Sequence, residues 1–177
     1  MLDFDKVIEK ITSFLKAYNF FVVENHKNHV KYESTKTSIV IGYDEREYYY
    51  FAIVGDKSNI SIPLDVNNLT NVFQYDSEKF IRSPFEEFFI DFFMTTNGNR
   101  ILTGDRTIFE ALKRDRDKRA EEYTRQLLQR QNLDSADKAW LSNNYLVFVK
   151  HLDLIDKSSL LQSYELKYSI AKRKLNE

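Results

Sequence analysis

The chain has 177 residues, with 26 lysines and arginines against 27 aspartates and glutamates, and no cysteine. A chain of this size buries roughly 70% of its unfolded surface without a covalent staple, and the lack of thiols excludes disulfides, thiol nucleophiles and thiolate metal sites. A net charge of -1 argues against a strongly basic nucleic-acid binder. The opening MLDFDKVIEK lacks the apolar core of a signal peptide, and no run approaches the roughly 20 apolar residues of a membrane helix, so a cytoplasmic protein is expected. Aromatic residues make up 15% of the chain while glycines number 4 and prolines 2, which predicts regular elements around a ring-rich core rather than long loops.

From Asp3 to Tyr18, Phe4, Val7, Ile8, Ile11, Phe14, Leu15 and Tyr18 recur at spacings of three and four, predicting a helix with one apolar stripe. Asp3 can cap its start, and Asn19 is a natural stop because asparagine tolerates the left-handed conformation. Phe20 to Val23 reads as a first strand, and Asn25-His26-Lys27-Asn28 as the turn that follows. Between Val30 and Val54, side-chain character alternates at period two in three runs, Val30 to Ser34, Ser38 to Tyr43 and Tyr48 to Val54. Thr35-Lys36-Thr37 and Asp44-Glu45-Arg46-Glu47 separate them, so an antiparallel meander is expected. Ile60 to Leu64 can add a fifth strand, and Pro63 places that strand on an edge or stands near its end, since proline cannot donate to a ladder.

Asn67, Asn68, Thr70 and Asn71 are weak helix formers and leave the state of residues 65–80 open. Ser83 to Met94 reads as a helix with Ser83 as N-cap, Pro84 at its first position and Glu86 closing a capping box. Phe85, Phe88, Phe89, Phe92 and Phe93 line one side of it and are assigned to the core over the meander. Thr95 to Asp105, which holds Gly98 and Gly104, reads as a loop and as the boundary between two subregions. A helix is predicted from Arg106 to Gln131, carrying Ile108, Phe109, Leu112, Ala120, Tyr123, Leu127 and Leu128, with a charged middle KRDRDKR (Lys113 to Arg119) that lies over solvent. Asp134, Ser135 and Asp137 open a further helix with Trp140, Leu141, Tyr145, Phe148, Val149 and Leu152. A last one, from about Asp156, uses Leu160, Leu161, Tyr164, Tyr168, Ala171 and Leu175 and ends at the basic Lys172-Arg173-Lys174.

The expected fold class is α+β: an N-terminal helix and an antiparallel four- to five-stranded sheet, followed by a helical C-terminal unit. The chain is read as a single domain, 1–177, with a sheet subregion over 1–95 and a helical subregion over 105–177. Charge divides similarly, with 11 Lys and Arg against 15 Asp and Glu in residues 1–100, and 15 against 12 in residues 101–177.

Motifs for catalysis are absent. No serine sits in a glycine-flanked elbow, and neither Gly98 nor Gly104 is followed by the Lys-Ser or Lys-Thr of a phosphate-binding loop. His26 and His29, with Glu24 nearby, have ligand-like spacing, but the remaining His151 is remote and a hydrophilic turn accounts for them, so no metal and no cofactor is expected. The carboxylates of Asp44, Glu45 and Glu47 lie in a predicted turn, where solvent leaves them ordinary rather than tuned for acid and base work. KRDRDKR interleaves acids with bases, and Glu110 with Arg114 and Asp115 with Arg119 stand at ion-pair spacing, which suits a solvated helix face. Phosphate binding through residues 113–119, with the C-terminal basic tail, is the competing reading. Tyr43, Tyr48, Tyr49 and Tyr50 surround the acidic turn and cannot all face one core from an alternating strand. An outward tyrosine beside Asp44, Glu45 and Glu47 would make a protein-binding patch; packing on a second covered face is the other possibility.

The strings NFFVVE, VKYES and SIVIGYDEREYYYFAIV, following an N-terminal helix, resemble small bacterial immunity proteins that protect a cell from polymorphic or contact-dependent toxins. The resemblance covers about residues 1 to 64 and rests on the Y-E-S and Y-D-x-R-E strings. It implies a non-enzymatic, intracellular inhibitor that sequesters a cognate toxin by charge and aromatic complementarity. Tyr43, Asp44, Glu45, Glu47 and Tyr49 are then the expected contact residues, and a nucleic-acid-associated accessory protein acting through 113–119 is the alternative.

Overall fold

In the computed structural model, which describes residues 4–58 and 60–176, the first apolar stripe becomes helix α1 (Phe4–Lys16). Val7, Ile11 and Leu15 are buried, and Phe4, Ile8, Phe14 and Tyr18 pack at the margin of the core. Asn19 ends the helix in the left-handed region, at φ 61°. Its N–H donates to the Lys16 carbonyl (3.1 Å) and that of Phe20 to the Leu15 carbonyl (3.2 Å), the Schellman pattern that satisfies two terminal carbonyls. Asp3, the expected cap, lies outside the described residues.

Five antiparallel strands follow in chain order: β1 (Phe21–His26), β2 (His29–Glu33), β3 (Thr37–Asp44), β4 (Tyr49–Asp56) and β5 (Ser61–Pro63). The first turn is tighter than expected. Asn25 and His26 belong to β1, and only Lys27 and Asn28 turn the chain, because His26 and His29 pair directly across it. Pro63 stands on the edge strand β5, where its missing N–H costs nothing.

Alternation gives the sheet two unlike faces. Val30, Tyr32, Ile39, Ile41, Ala52, Val54 and Ile62 are buried on one side. On the other, register lines up His26, His29, Gly42 and Phe51 in one row across four strands, and Glu24, Lys31, Val40, Ile53 and Pro63 in the next. Val40, Phe51 and Ile53 stay half-exposed there. Gly42 makes room for the Phe51 ring, which lies across it: a Cβ there would stand 2.2 Å from Cζ of Phe51, so a side chain would have to displace the ring. All six residues of β1 are exposed.

Helices cover the buried face. Two short ones, α2 (Val66–Asn71) and α3 (Ser77–Arg82), form in the segment the sequence left open. Asp65 caps α2 by accepting from the N–H of Asn68 (2.8 Å), whose own side chain accepts from the Asp65 N–H (3.2 Å). Asparagine thus completes a capping box in the place glutamate usually takes, and this outweighs poor helix propensity. The phenylalanine helix is α4 (Phe85–Met94), but its expected capping box is not formed. Ser83 instead ends α3 in extended conformation, as a residue before proline prefers. Pro84 is the cap residue, and Glu86 turns its carboxylate to Lys10 of α1 (3.0 Å). Phe88, Phe89, Phe92 and Phe93 are buried as assigned.

The predicted loop at 95–105 is a correction: it holds α5 (Thr96–Leu102), capped by the Thr95 hydroxyl, which accepts from the Gly98 N–H (3.1 Å). Gly98 marks close approach rather than a loop, since a Cβ there would lie 2.1 Å from the Phe92 carbonyl oxygen. Asp105 then starts α6 (Arg106–Leu141). Its carboxylate accepts from the Arg100 guanidinium (2.7 Å) and from the N–H (2.9 Å) and hydroxyl (2.8 Å) of Thr107, which lower its pKa to about 2.

α6 runs for 36 residues without the break expected at Asp134. Asp137, read as a helix opener, accepts from the Tyr164 hydroxyl instead (2.6 Å). The chain turns later, at Ser142-Asn143-Asn144, with Asn143 at φ 54° and Asn144 capping α7 (Tyr145–Leu152) through the Val147 N–H. The helix expected from 134 to 152 is therefore split. Asp156 caps a 3-10 turn, Lys157–Ser159, and the last helix, α8, begins only at Gln162 and ends at Leu175.

The chain divides into two compact units, 1–117 and 118–177, so the boundary falls inside KRDRDKR rather than at 95–105. From Lys113 to Ser135 no residue of α6 is buried, which explains the position: this is where the helix leaves one core and has not yet entered another. Unit 2 has its own core of Ala136, Ala139, Phe148, Val149, Leu152, Ile155 and Ala171. The architecture is α+β, and no helix among the described residues is long and apolar enough to cross a membrane.

Candidate partner-binding site

Two hairpin turns meet at one end of the sheet in unit 1. The N–H of Tyr43 donates to the Asn28 carbonyl (2.8 Å), fixing the β3–β4 hairpin beside the β1–β2 turn. Above them the ammonium of Lys27 pairs with Glu45 (3.1 Å), both well exposed. The β3–β4 turn is built by Asp44: its Oδ1 accepts from the N–H groups of Arg46 (2.8 Å) and Glu47 (3.2 Å), as aspartate does where a strand must reverse. Tyr48 completes the reversal at φ 56°, and its side chain is 77% exposed.

The expected contact residues distribute over this end. Glu45 and Glu47 are exposed on the turn, and Tyr49 is 51% exposed on the face that carries Phe51, with ring centroids 6.4 Å apart. Tyr43 points the opposite way. It pairs with Tyr50 (4.9 Å), which stacks between Phe85 (5.2 Å) and Phe4 (6.2 Å) at the margin of the core. The tyrosine question raised by the sequence thus divides by register: Tyr43 and Tyr50 face the helices, Tyr48 and Tyr49 face solvent. Asp44 is occupied in the turn, so the members of the expected set exposed to a partner are Glu47, Tyr49 and Glu45, the last also paired with Lys27.

Two further residues extend the patch. Tyr48, one of the four tyrosines that the sequence raised, closes the hairpin at φ 56° with its side chain exposed. Phe51 is signalled by its pairing with Gly42, over whose missing side chain its ring lies. Beyond the aromatic row, charges bridge the strands: Lys31 pairs with Glu33 (3.0 Å) and Glu24 (3.2 Å), and Glu33 also takes Lys57 (2.9 Å). The bonds to Glu33 and then Glu24 raise the Lys31 pKa, and those from Lys57 and then Lys31 lower that of Glu33. These groups are open to water, so they set the sign pattern of the surface more than they stabilise it.

The basic segment of α6 shows less freedom than its composition suggests. Arg116 pairs with the adjacent Asp117 (2.9 Å), and the Glu110 carboxylate is taken by Arg106 (2.8 Å) rather than by Arg114, whose guanidinium donates to the Glu110 carbonyl (3.3 Å). Asp115 accepts from Asn71 (3.1 Å). In comparisons with known proteins, no family model, no curated protein and no solved structure matches this chain.

Proposed function

We propose that the protein is a non-enzymatic binding module, an immunity-type inhibitor that sequesters a cognate toxin in the cytoplasm through the hairpin end of its sheet. The observation that carries this reading is the β3–β4 turn, which offers Tyr48 and Tyr49 to solvent beside Glu45 and Glu47. Tyrosine brings large contact area at low entropic cost and is enriched at binding hot spots. Paired with carboxylates, it suits a partner with a basic, concave surface, which charge would also steer into contact. A stoichiometric role suits the layout of the turn: Asp44 is engaged with backbone N–H groups, Glu45 pairs with Lys27, and Glu47 is exposed on the surface.

The test is capture of a partner from native lysate at about 0.15 M salt, with and without nuclease, by the wild type and by the triple variant Glu45→Lys, Glu47→Lys, Tyr49→Ala. Asp44 is kept because it builds the turn. The expected result is one protein that survives nuclease treatment and whose affinity falls at least about 100-fold in the variant, the scale of a lost hot-spot cluster. Equal affinity of variant and wild type overturns the site. Recovery of nucleic acid, or of proteins that vanish with nuclease, overturns the function in favour of phosphate binding by 113–119.

A further inference from the structure

On the exposed face of the sheet, close to the hairpin end but distinct from the turn of β3–β4, Glu24, His26 and His29 form a cluster. Each offers one ligand atom, and the three atoms lie within 4.8 Å of one another. The tight Lys27-Asn28 turn is the cause. By pairing His26 with His29 across two strands it brings their rings to 4.4 Å, while Glu24, two residues back along β1, reaches the same side. We propose that this is a binding site for a borderline divalent transition metal of the zinc type, held by two imidazoles and one carboxylate.

The ligand set is that of a three-ligand zinc site with an open fourth position, and two nitrogens with one oxygen select zinc, copper or nickel over magnesium and calcium. A tetrahedral ion with bonds of about 2.1 Å places its ligands about 3.4 Å apart, so the three atoms must close by roughly an ångström. All three residues stand on the solvent side of a hairpin, where side-chain rotation suffices. Supporting contacts are already present. Nδ1 of His29 lies 3.1 Å from Oδ1 of Asn28, a contact that orients the ring and leaves Nε2 as the nitrogen available to an ion. Lys31 holds Oε1 of Glu24 (3.2 Å), while Oε2 lies 3.9 Å from Nε2 of His26. Glu33 shares the Lys31 ammonium (3.0 Å) and so offsets part of its repulsion of a cation. A bound ion would fasten the exposed edge strand β1 to β2 and leave a coordination position facing outward.

The experiment is calorimetric titration of the untagged full chain with zinc chloride, repeated with magnesium chloride, alongside NMR of the histidine rings. One zinc per chain, no response to magnesium, and shifts confined to His26 and His29 with His151 unmoved are expected. His26→Ala and His29→Ala should each weaken zinc at least about 100-fold, more than loss of a supporting contact does, whereas His151→Ala should change nothing. Absence of zinc binding by the wild type, unaltered affinity in both His26→Ala and His29→Ala, or ring shifts centred on His151 would overturn the site. Because both substituted ligands lie on the solvent side of the hairpin, unchanged circular dichroism of the variants separates ligand loss from misfolding.

Discussion

The two units solve the same packing problem with opposite materials. Unit 1 buries Phe20, Phe88, Phe89, Phe92, Phe93 and Phe109 almost completely, and its rings meet edge to face, as with Phe73 and Phe92 at 5.1 Å, and in stacks, as with Phe88 and Phe92 at 6.1 Å. Among the described residues, unit 2 buries one large ring, Phe148, with Val149, Leu152 and Ile155 and the alanines Ala136, Ala139 and Ala171. It closes its margin with polar groups: Tyr164 donates to Asp137 and Tyr168 to Asp153, each at 2.6 Å, while Lys167 lies over the rings of Trp140 and Tyr164. Apolar burial is not screened by ions as charged contacts are, whereas hydroxyl–carboxylate bonds and cations over rings are weakened by salt. The first unit should therefore respond less than the second to added sodium chloride, while its buried Tyr32, whose pKa burial raises, leaves it a share of any alkaline response.

The largest effect should come from emptying the ring cluster. Phe92→Ala removes a ring in contact with Phe73, Tyr75, Phe88 and Phe93, and a cavity of that kind costs about 3–5 kcal/mol. Hydrogen exchange resolved by residue should show the loss across β2, β3 and β4, and at equal size in low and high salt. A cost under about 1 kcal/mol would mean the rings can collapse into the gap, which close packing does not permit.

A smaller effect tests the corner that brings α5 onto α4. In Gly98→Ala the new methyl meets the Phe92 carbonyl at 2.1 Å and the Phe93 Cα at 2.6 Å, both backbone atoms that cannot rotate aside. The helices must part, at an expected cost of about 1–3 kcal/mol, as for overpacking. Denaturant unfolding of the variant checks it, and the same substitution at a freely solvated helical position would instead stabilise.

Which parts of this were legible from the sequence follows from how local each signal is. The stripe of α1, the stop at Asn19, the meander and the phenylalanine face of α4 are periodic patterns written in the residues themselves, and each appears as expected. Caps were less legible, because serine, aspartate and asparagine cap only where the chain already bends: Ser83 closes the preceding helix, and Asp134 and Asp137 lie within an unbroken one. Gly98 misled for a related reason, since glycine marks a loop or a close approach equally and only the neighbouring Phe92 backbone distinguishes them. At the candidate site, alternation showed that the four tyrosines could not share one face, but register was needed to place Tyr49 outward and Tyr43 against the helices. The cluster of Glu24, His26 and His29 depended on a turn of two residues where the sequence suggested four.

The smallest effect reads the polar margin of unit 2 directly. Tyr164 donates to a carboxylate, a bond that contributes about 1.5–3 kcal/mol when desolvated, but the Asp137 side chain is 43% exposed, so Tyr164→Phe should cost about 1 kcal/mol. Its pH dependence is the sharper signature. The hydrogen bond to Asp137, then burial, then the charges of Asp137 and Asp134 raise the Tyr164 pKa from 10.0 to about 12, because the phenolate could neither donate nor escape repulsion. A group whose folded pKa is raised stabilises fully below its unfolded value and loses that contribution as pH climbs through the folded one. Unit 2 should accordingly weaken between about pH 10 and pH 12. In Tyr164→Phe that part of the decline should flatten, and an absorbance titration of the folded protein should lose a late-ionising tyrosine rather than an ordinary one. Loss of an ordinary tyrosine signal, with the alkaline decline unchanged, would show that the Asp137 bond does not hold unit 2 together, and the contrast between the two cores would then be one of size alone.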